Sequence, residues 1–172
     1  MIEIRNWNAD EARSRRVELV ELLRDAVASG ASIGFLPPMA THEAEDYWDG
    51  VAEALCSPAR VLLVALDGHR VVGAVQLALE TRSNGSHRAE VSKLMVHTAA
   101  RRRGVGRALM QAVEAAAREA ERTLLVLDTR AGDAAELLYR SLGYAAAGVI
   151  PVYARSADGS LDATVFMYKL LE

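Results

Sequence analysis

A run of three arginines followed by Gly-Val-Gly constrains the fold of this chain more than any other part of its sequence. It lies between a strand-like segment, Glu90–Val96, and a helix-like segment, Val105–Arg122. Glycine lets the backbone approach a ligand without a Cβ atom, and a helix that begins there directs its unpaired N–H groups and the positive end of its dipole at an anion. The segment Arg101–Gly106 therefore predicts a polyphosphate-binding loop.

Two better-known phosphate-binding motifs do not fit this loop. A Rossmann fold needs a third glycine where Leu109 stands, and a tight turn where seven residues separate Val96 from Gly104. The P-loop signature GxxxxGK[ST] does not occur in the chain. A third interpretation is a tight turn followed by a solvated basic helix start, which is unfavourable because positive charge there opposes the helix dipole. The remaining pattern is Arg-x-x-Gly-x-Gly directly after a strand.

This pattern resembles the acyl-CoA pyrophosphate loop of the GNAT N-acetyltransferases. A second segment, Ala134–Tyr144, is similar to the short helix of that family that carries a tyrosine and ends in Gly-aromatic. The two segments stand at the family's usual spacing, and the resemblance is greatest to the tabtoxin-resistance-type branch, which acts on small molecules. It implies the GNAT fold, α/β (α+β) in class. That fold has a mixed, mostly antiparallel seven-stranded sheet with splayed parallel central strands and helices on both faces.

Composition sets the limits within which this resemblance must hold. With 172 residues, 51% of them hydrophobic, we expect a single acetyltransferase domain over residues 1–172. The net charge of −3 argues against nucleic-acid binding. No signal-peptide pattern or long apolar run occurs, so we expect a soluble cytoplasmic protein without membrane contact. The lone Cys56 has no partner at metal-ligand spacing, so no metal is expected. A homodimer is compatible with the sequence, which does not fix the oligomeric state.

Hydrophobic periodicity predicts a chain that alternates between strands and helices. We expect Asp10 and Thr41 to cap the first two helices, and Asp67-Gly68 to form a type I′ hairpin turn. The predicted strands are Ile2–Trp7, Arg60–Leu66, Val71–Leu79, Glu90–Val96, Leu124–Asp128, Tyr144–Tyr153 and Ala163–Leu170. A helix from Val105 would return the chain so that the Leu124 strand lies parallel to the Glu90 strand.

The resemblance implies how acetyl-CoA, the expected cosubstrate, is held. Strand residues Leu94, Met95 and Val96 would offer backbone groups to the pantetheine arm. The amides of roughly Arg102–Gly106 would bind the pyrophosphate, and one of the three arginines would pair with a phosphate. The full expected set is Leu94, Met95, Val96, Arg101, Arg102, Arg103, Gly104, Val105, Gly106 and Arg107.

Three residues are candidates for the chemistry. Acetyl transfer to an amine requires a proton for the departing thiolate, which Tyr139 can supply, and removal of a proton from the amine. Glu90, which aligns with a strand carboxylate used as a base in some GNAT members, and Asp128 are candidate bases, with water as the alternative. Strand alternation places Glu90, Ser92, Leu94 and Val96 on one face. The competing roles are a core tyrosine for Tyr139 and a turn cap for Asp128.

The acceptor side resembles the family's helix-to-helix segment over Gly34–Met39. Phe35, Leu36, Trp48 and Asp128 are the candidate substrate-binding residues. The sequence thus predicts an N-acetyltransferase that transfers the acetyl group of acetyl-CoA to a primary amine of a small molecule, such as an amino-acid-like metabolite, toxin or antibiotic. The alternatives are a protein acetyltransferase acting on lysine or N-terminal amines, and a non-catalytic acyl-CoA-binding module.

Overall fold

The structure, a computed structural model, describes residues 1–172 as seven strands and five α-helices. In chain order they are β1 (Ile2–Trp7), α1 (Ala9–Ser14), α2 (Arg16–Ala28), α3 (Thr41–Ala54), β2 (Arg60–Asp67), β3 (Arg70–Leu79), β4 (Arg88–Val96), α4 (Val105–Glu119), β5 (Leu124–Arg130), α5 (Ala134–Ser141), β6 (Ala145–Arg155) and β7 (Leu161–Leu170). None of the helices is long and apolar enough to cross a membrane.

The strands form one mixed sheet in the order β1-β2-β3-β4-β5-β7-β6. Every neighbouring pair is antiparallel except β4 and β5. Their parallel pairing runs only from Arg88–Leu124 to Glu90–Val126, although β4 continues to Val96 and β5 to Arg130. The two central strands therefore separate beyond Glu90, which confirms the predicted splay.

Two hydrophobic clusters lie on opposite faces of the sheet. One, the α4 cluster, packs α4 and α5 against the sheet through residues such as Leu109, Val113 and Tyr139. The other, the α2–α3 cluster, packs α1, α2 and α3 against it through residues such as Leu22 and Trp48. Helices thus cover both faces, as predicted for the fold class.

A β-bulge at Lys93 breaks the alternation of β4. Lys93 has φ 55, and the pairing register between β3 and β4 shifts there. Ahead of the bulge, Val91 packs into the α4 cluster; after it, Met95 packs into the α2–α3 cluster, and Leu94 now faces α4. The predicted common face of Glu90, Ser92, Leu94 and Val96 is therefore wrong, because the extra residue exchanges the two faces of the strand.

Three local predictions about caps and turns were also wrong. Asn8, not Asp10, caps α1, since its side chain and that of Glu11 exchange hydrogen bonds with each other's backbone N–H at 2.9 Å. Thr41 is the first residue of α3 rather than its cap. Of the two hairpin residues after Asp67, only Gly68 has a positive φ, at 62, which fits a type II′ turn rather than type I′.

Candidate active site

The loop before α4 presents six consecutive backbone amides without partners in the protein. Arg102 and Gly104 have φ 60 and 79, which turns the chain sharply into the helix. The amides of residues 102–104 donate to no backbone carbonyl. Those of residues 105–107 belong to the first turn of α4, whose N–H groups have no acceptor within the helix. The first such bond is from Ala108 to Gly104, at 3.0 Å. A Cβ atom at Gly104 would meet nothing within 4 Å, so the space beside this glycine is open.

The arginines of this loop have different partners. Arg101 donates to the carbonyl oxygen of Val96 and to Ser29, and so ties the loop to β4 and α2. Arg103 pairs with Asp67 at 2.7 Å. Arg102 makes no side-chain hydrogen bond or ion pair and is exposed, so its guanidinium is the one of the three that is free to bind a phosphate.

Arg107 lies on the first turn of α4 and bonds the Ser141 hydroxyl at 2.7 Å. This bond links the start of α4 to the end of α5.

The edge of β4 that faces β5 has no strand partner over Leu94–Val96. On its other edge, Met95 pairs with Ala74 and Val96 with Gly73 of β3. An unpaired strand edge can accept an extended ligand as an added strand. The structure therefore fits a pantetheine arm lying in the splay, with the amides of the loop at one end of it.

Tyr139 projects from α5 into the α4 cluster, with 6% of its surface exposed and its ring 5.9 Å from that of Tyr144. Its hydroxyl makes no hydrogen bond but is still accessible to solvent. The Tyr144 hydroxyl is also unpaired, and it is closed off from solvent. Burial, with the charge of Asp128 as the second cause, raises the pKa of Tyr139 above its ordinary value. The hydroxyl thus keeps its proton at neutral pH, as a proton donor must.

Glu90 and Asp128 lie at the point where the strands part. Glu90 is the last residue of β4 that pairs with β5, and Asp128 follows its partner Val126 by two residues. Both carboxylates are exposed. Asp128 belongs to β5, which continues to Arg130, and it accepts no hydrogen bond from the following turn, so the structure gives it no capping role.

Lys93 is a site residue that sequence reasoning missed. Its ammonium donates to the carbonyl oxygen of Ile33 at 2.5 Å and lies 5.6 Å from the centre of the Phe35 ring. Burial lowers the pKa of Lys93, while the charges of Asp128 and Glu90 act in the opposite direction. The available signal was a lysine directly before the apolar run Leu94–Val96, in a strand that the helices cover.

A cavity of about 250 Å³ lies between three parts of the chain: the α2–α3 segment, which joins the end of α2 to the start of α3, the end of β5, and the β6–β7 connection. The predicted residues Phe35 and Leu36 line it, together with Arg130. Arg130, also missed from sequence, fixes the walls by bonding Asp133, the Ser156 hydroxyl and the Gly30 carbonyl. Trp48 does not reach this cavity: it is 1% exposed and lies in the α2–α3 cluster.

The sequence model of the GNAT acetyltransferase domain matches residues 58–146 of the chain. An N-acetyltransferase of Azospirillum brasilense, encoded in the hisH–hisA intergenic region, is 37% identical over 116 residues, which are 66% of this chain and 67% of that protein. This chain belongs to the GNAT acetyltransferase family. It is therefore an acetyltransferase, and acetyl-CoA, the acetyl donor of the family, is its cosubstrate. Its assignment to the tabtoxin-resistance-type branch stays a prediction.

Solved structures share the fold over almost the whole chain. A GCN5-related N-acetyltransferase from Kribbella flavida has a TM-score of 0.81 at 22% identity and covers 99% of this chain and 98% of its own. A ribosomal-protein-alanine N-acetyltransferase from Brucella melitensis has a TM-score of 0.77 at 23% identity, covering 98% and 99%. A protein from Salmonella typhimurium, solved with its cofactor acetyl-CoA, has a TM-score of 0.79 at 21% identity, covering 100% and 95%.

Proposed function

We propose that this single-domain enzyme transfers the acetyl group of acetyl-CoA to a primary amine of a small molecule, such as an amino-acid-like metabolite, toxin or antibiotic. The observation that carries the proposal is the cavity beside the splay. Loop residues 30–37 cover one side of it and residues 154–157 the other, so it suits a compact acceptor. A peptide chain would need an open groove running past the reacting centre.

The donor side of the proposed site is built from the loop and the β4 edge. The free amides of residues 102–107 and the unpaired Arg102 guanidinium would hold the pyrophosphate. The open edge of Leu94–Val96 would align the pantetheine arm toward the point where Glu90 and Asp128 lie. Arg130, two residues after Asp128, is the β5 residue that lines the cavity, so an acceptor there would lie beside the proposed donor site.

The proposed chemistry uses three side chains. Asp128 and Glu90 orient the amine, and one of them, or water, takes its proton, so that the nitrogen lone pair can attack the thioester carbonyl carbon. As the carbon–nitrogen bond forms and the carbon–sulfur bond breaks, Tyr139 donates its hydroxyl proton to the sulfur. The nitrogen, which is positively charged once bonded to carbon, loses a further proton to water, and water returns a proton to Tyr139. Its raised pKa keeps that proton in place until the thiolate develops.

A panel of acceptors tests the proposal. Purified protein with acetyl-CoA is assayed for thiol release against amino acids, amines, and peptides with free N-terminal or lysine amines, and products are verified by mass spectrometry. We expect a small-molecule acceptor to have the highest kcat/KM. Turnover of peptides alone would favour the protein-acetylating alternative. CoA binding without turnover of any acceptor would favour the non-catalytic module.

A further inference from the structure

The two lysines of the chain differ in how fully their ammonium groups are paired. Lys169 donates to both carboxylate oxygens of Glu114 at 2.8 Å and to the carbonyl oxygen of Leu142 at 2.7 Å, which uses all three of its protons. Lys93 donates only to the carbonyl oxygen of Ile33, at 2.5 Å, and forms no ion pair. Two protons of the Lys93 ammonium are therefore available to a ligand.

The Lys93 side chain is partly shielded from water, but no anionic side chain pairs with its ammonium. The side chain is half-buried, its ammonium faces the Phe35 ring, and a Cβ atom at Gly34 would come within 2.9 Å of Nζ. Gly34 and Phe35 are both part of the cavity wall. A partly desolvated charge without a counter-ion is unfavourable, and its burial lowers the pKa of Lys93. An anion in the cavity would remove this penalty.

The β-bulge directs the Lys93 side chain toward the segment that joins α2 to α3. At φ 55, Lys93 has a backbone conformation that residues other than glycine rarely adopt, and such strain is concentrated at functional sites. Because of the bulge, the Lys93 side chain reaches the α2–α3 segment instead of continuing the alternation of β4. The bulge thus places a cation against Gly34 and Phe35, two residues of the cavity wall.

Charges of both signs lie where the pairing of β4 and β5 ends. Asp128 and Glu90 lie near enough for their charges to act on the Lys93 ammonium, yet neither forms an ion pair with it. A plain amine would find partners only in the two carboxylates. A molecule that carries both an ammonium and a carboxylate would complement the carboxylates and Lys93 together.

We propose that Lys93 is a specificity-determining residue whose ammonium binds the carboxylate of an amino-acid-like acceptor. The inference rests on the proposed function, because it requires a small-molecule acceptor. It narrows that class to amines that also carry an anionic group close to the reacting nitrogen.

Matched acceptors and matched variants test this inference. The acceptor pairs are L-phenylalanine with phenethylamine, L-tyrosine with tyramine, and L-leucine with isoamylamine, whose members differ in the carboxylate alone. Lys93→Gln keeps a donor for the Ile33 carbonyl but removes the charge, and Lys93→Arg keeps the charge. Comparing the loss within each pair cancels differences in amine reactivity, and melting temperatures verify that the variants are folded.

We expect Lys93→Gln to lower kcat/KM for the amino acid about 10- to 100-fold more than for its matched amine, mainly through KM, since a charge-assisted bond is lost. Lys93→Arg should restore most of the preference. Calorimetric titration of the same acceptors into the CoA complex, which cannot react, should show the same order in Kd.

Equal losses for both members of a pair would overturn the inference and leave Lys93 with a structural role, or with a role in proton removal if the losses shrink as pH rises. If plain amines are acetylated and no amino acid is, the inference is wrong while the proposed function stands. If only peptides are acetylated, the proposed function fails, and the inference fails with it.

Discussion

The Tyr139 hydroxyl is the group whose environment most clearly separates a chemical role from a packing role. The ring is buried, which accounts for its contribution to the core, but the hydroxyl has no partner that would explain its retention. Tyr144 provides an internal comparison, because its hydroxyl is also unpaired but is closed off from solvent. Two neighbouring tyrosines of one cluster thus differ in whether the hydroxyl is accessible from outside the protein.

Tyr139→Phe should therefore lower kcat about 10- to 10⁴-fold while CoA binding and melting temperature change little. In the parent enzyme, no loss of rate from deprotonation of Tyr139 is expected below pH 10.0, because burial raises its pKa above that ordinary value. Tyr144→Phe is the control and should keep kcat, with equal or greater stability, since it removes an unpaired buried hydroxyl. Parent-like turnover in Tyr139→Phe would remove Tyr139 from the chemistry.

Glu90 and Asp128 can be distinguished by the pH dependence of their amide variants. If Glu90 removes the amine proton, Glu90→Gln should lower turnover at neutral pH with little change in the KM of acetyl-CoA, and the loss should shrink as pH rises, because more acceptor is then already deprotonated. Measuring kcat and both KM values from neutral to alkaline pH tests this. A pH-independent loss in Asp128→Asn with a raised acceptor KM would instead assign Asp128 to holding the amine.

At the scale of the elements, the start of α4 and the bulge of β4 set up the two halves of the proposed site. The α4 start could be predicted from sequence because its signal is local: glycines and arginines between a strand and a helix. The bulge could not, because nothing in the sequence around Lys93 marks an extra residue, and its position follows from pairing with β3. The burial of Trp48 could have been predicted from the sequence, since it shares one face of α3 with Ala44, Val51 and Ala52.

The α4 start also carries a prediction about CoA affinity. Gly104→Val should weaken CoA more than loss of any single arginine of the loop, because it adds a side chain in the middle of the run of free amides and strains a residue at φ 79. Gly159→Val is a matched control, since Gly159 also has a positive φ, 88, and open space, but lies in the β6–β7 turn. Calorimetry on both variants gives the comparison. Equal CoA affinities in the two folded proteins would contradict the loop assignment.

At the scale of the whole molecule, the sheet order and the early end of the β4–β5 pairing create the site. Sequence patterns located the strands and the parallel crossover, and the family resemblance supplied the splay. They placed the end of β5 too early, because Asp128, Thr129 and Arg130 have the composition of a turn, whereas pairing with β7 extends the strand through Arg130. That extension puts Arg130 in the cavity wall, a position that no local pattern could indicate.

Hydrogen–deuterium exchange of the whole protein with and without CoA tests most directly the central claim, that the splay and the α4 start form the donor site. Free amides exchange quickly, and those that bind phosphate or pair with the pantetheine arm should slow. We predict slower exchange confined mainly to residues 94–107, with residues 83–87 and 156–160 unchanged as internal controls. Saturating CoA that leaves residues 94–107 unprotected, or that protects another surface instead, would contradict the account.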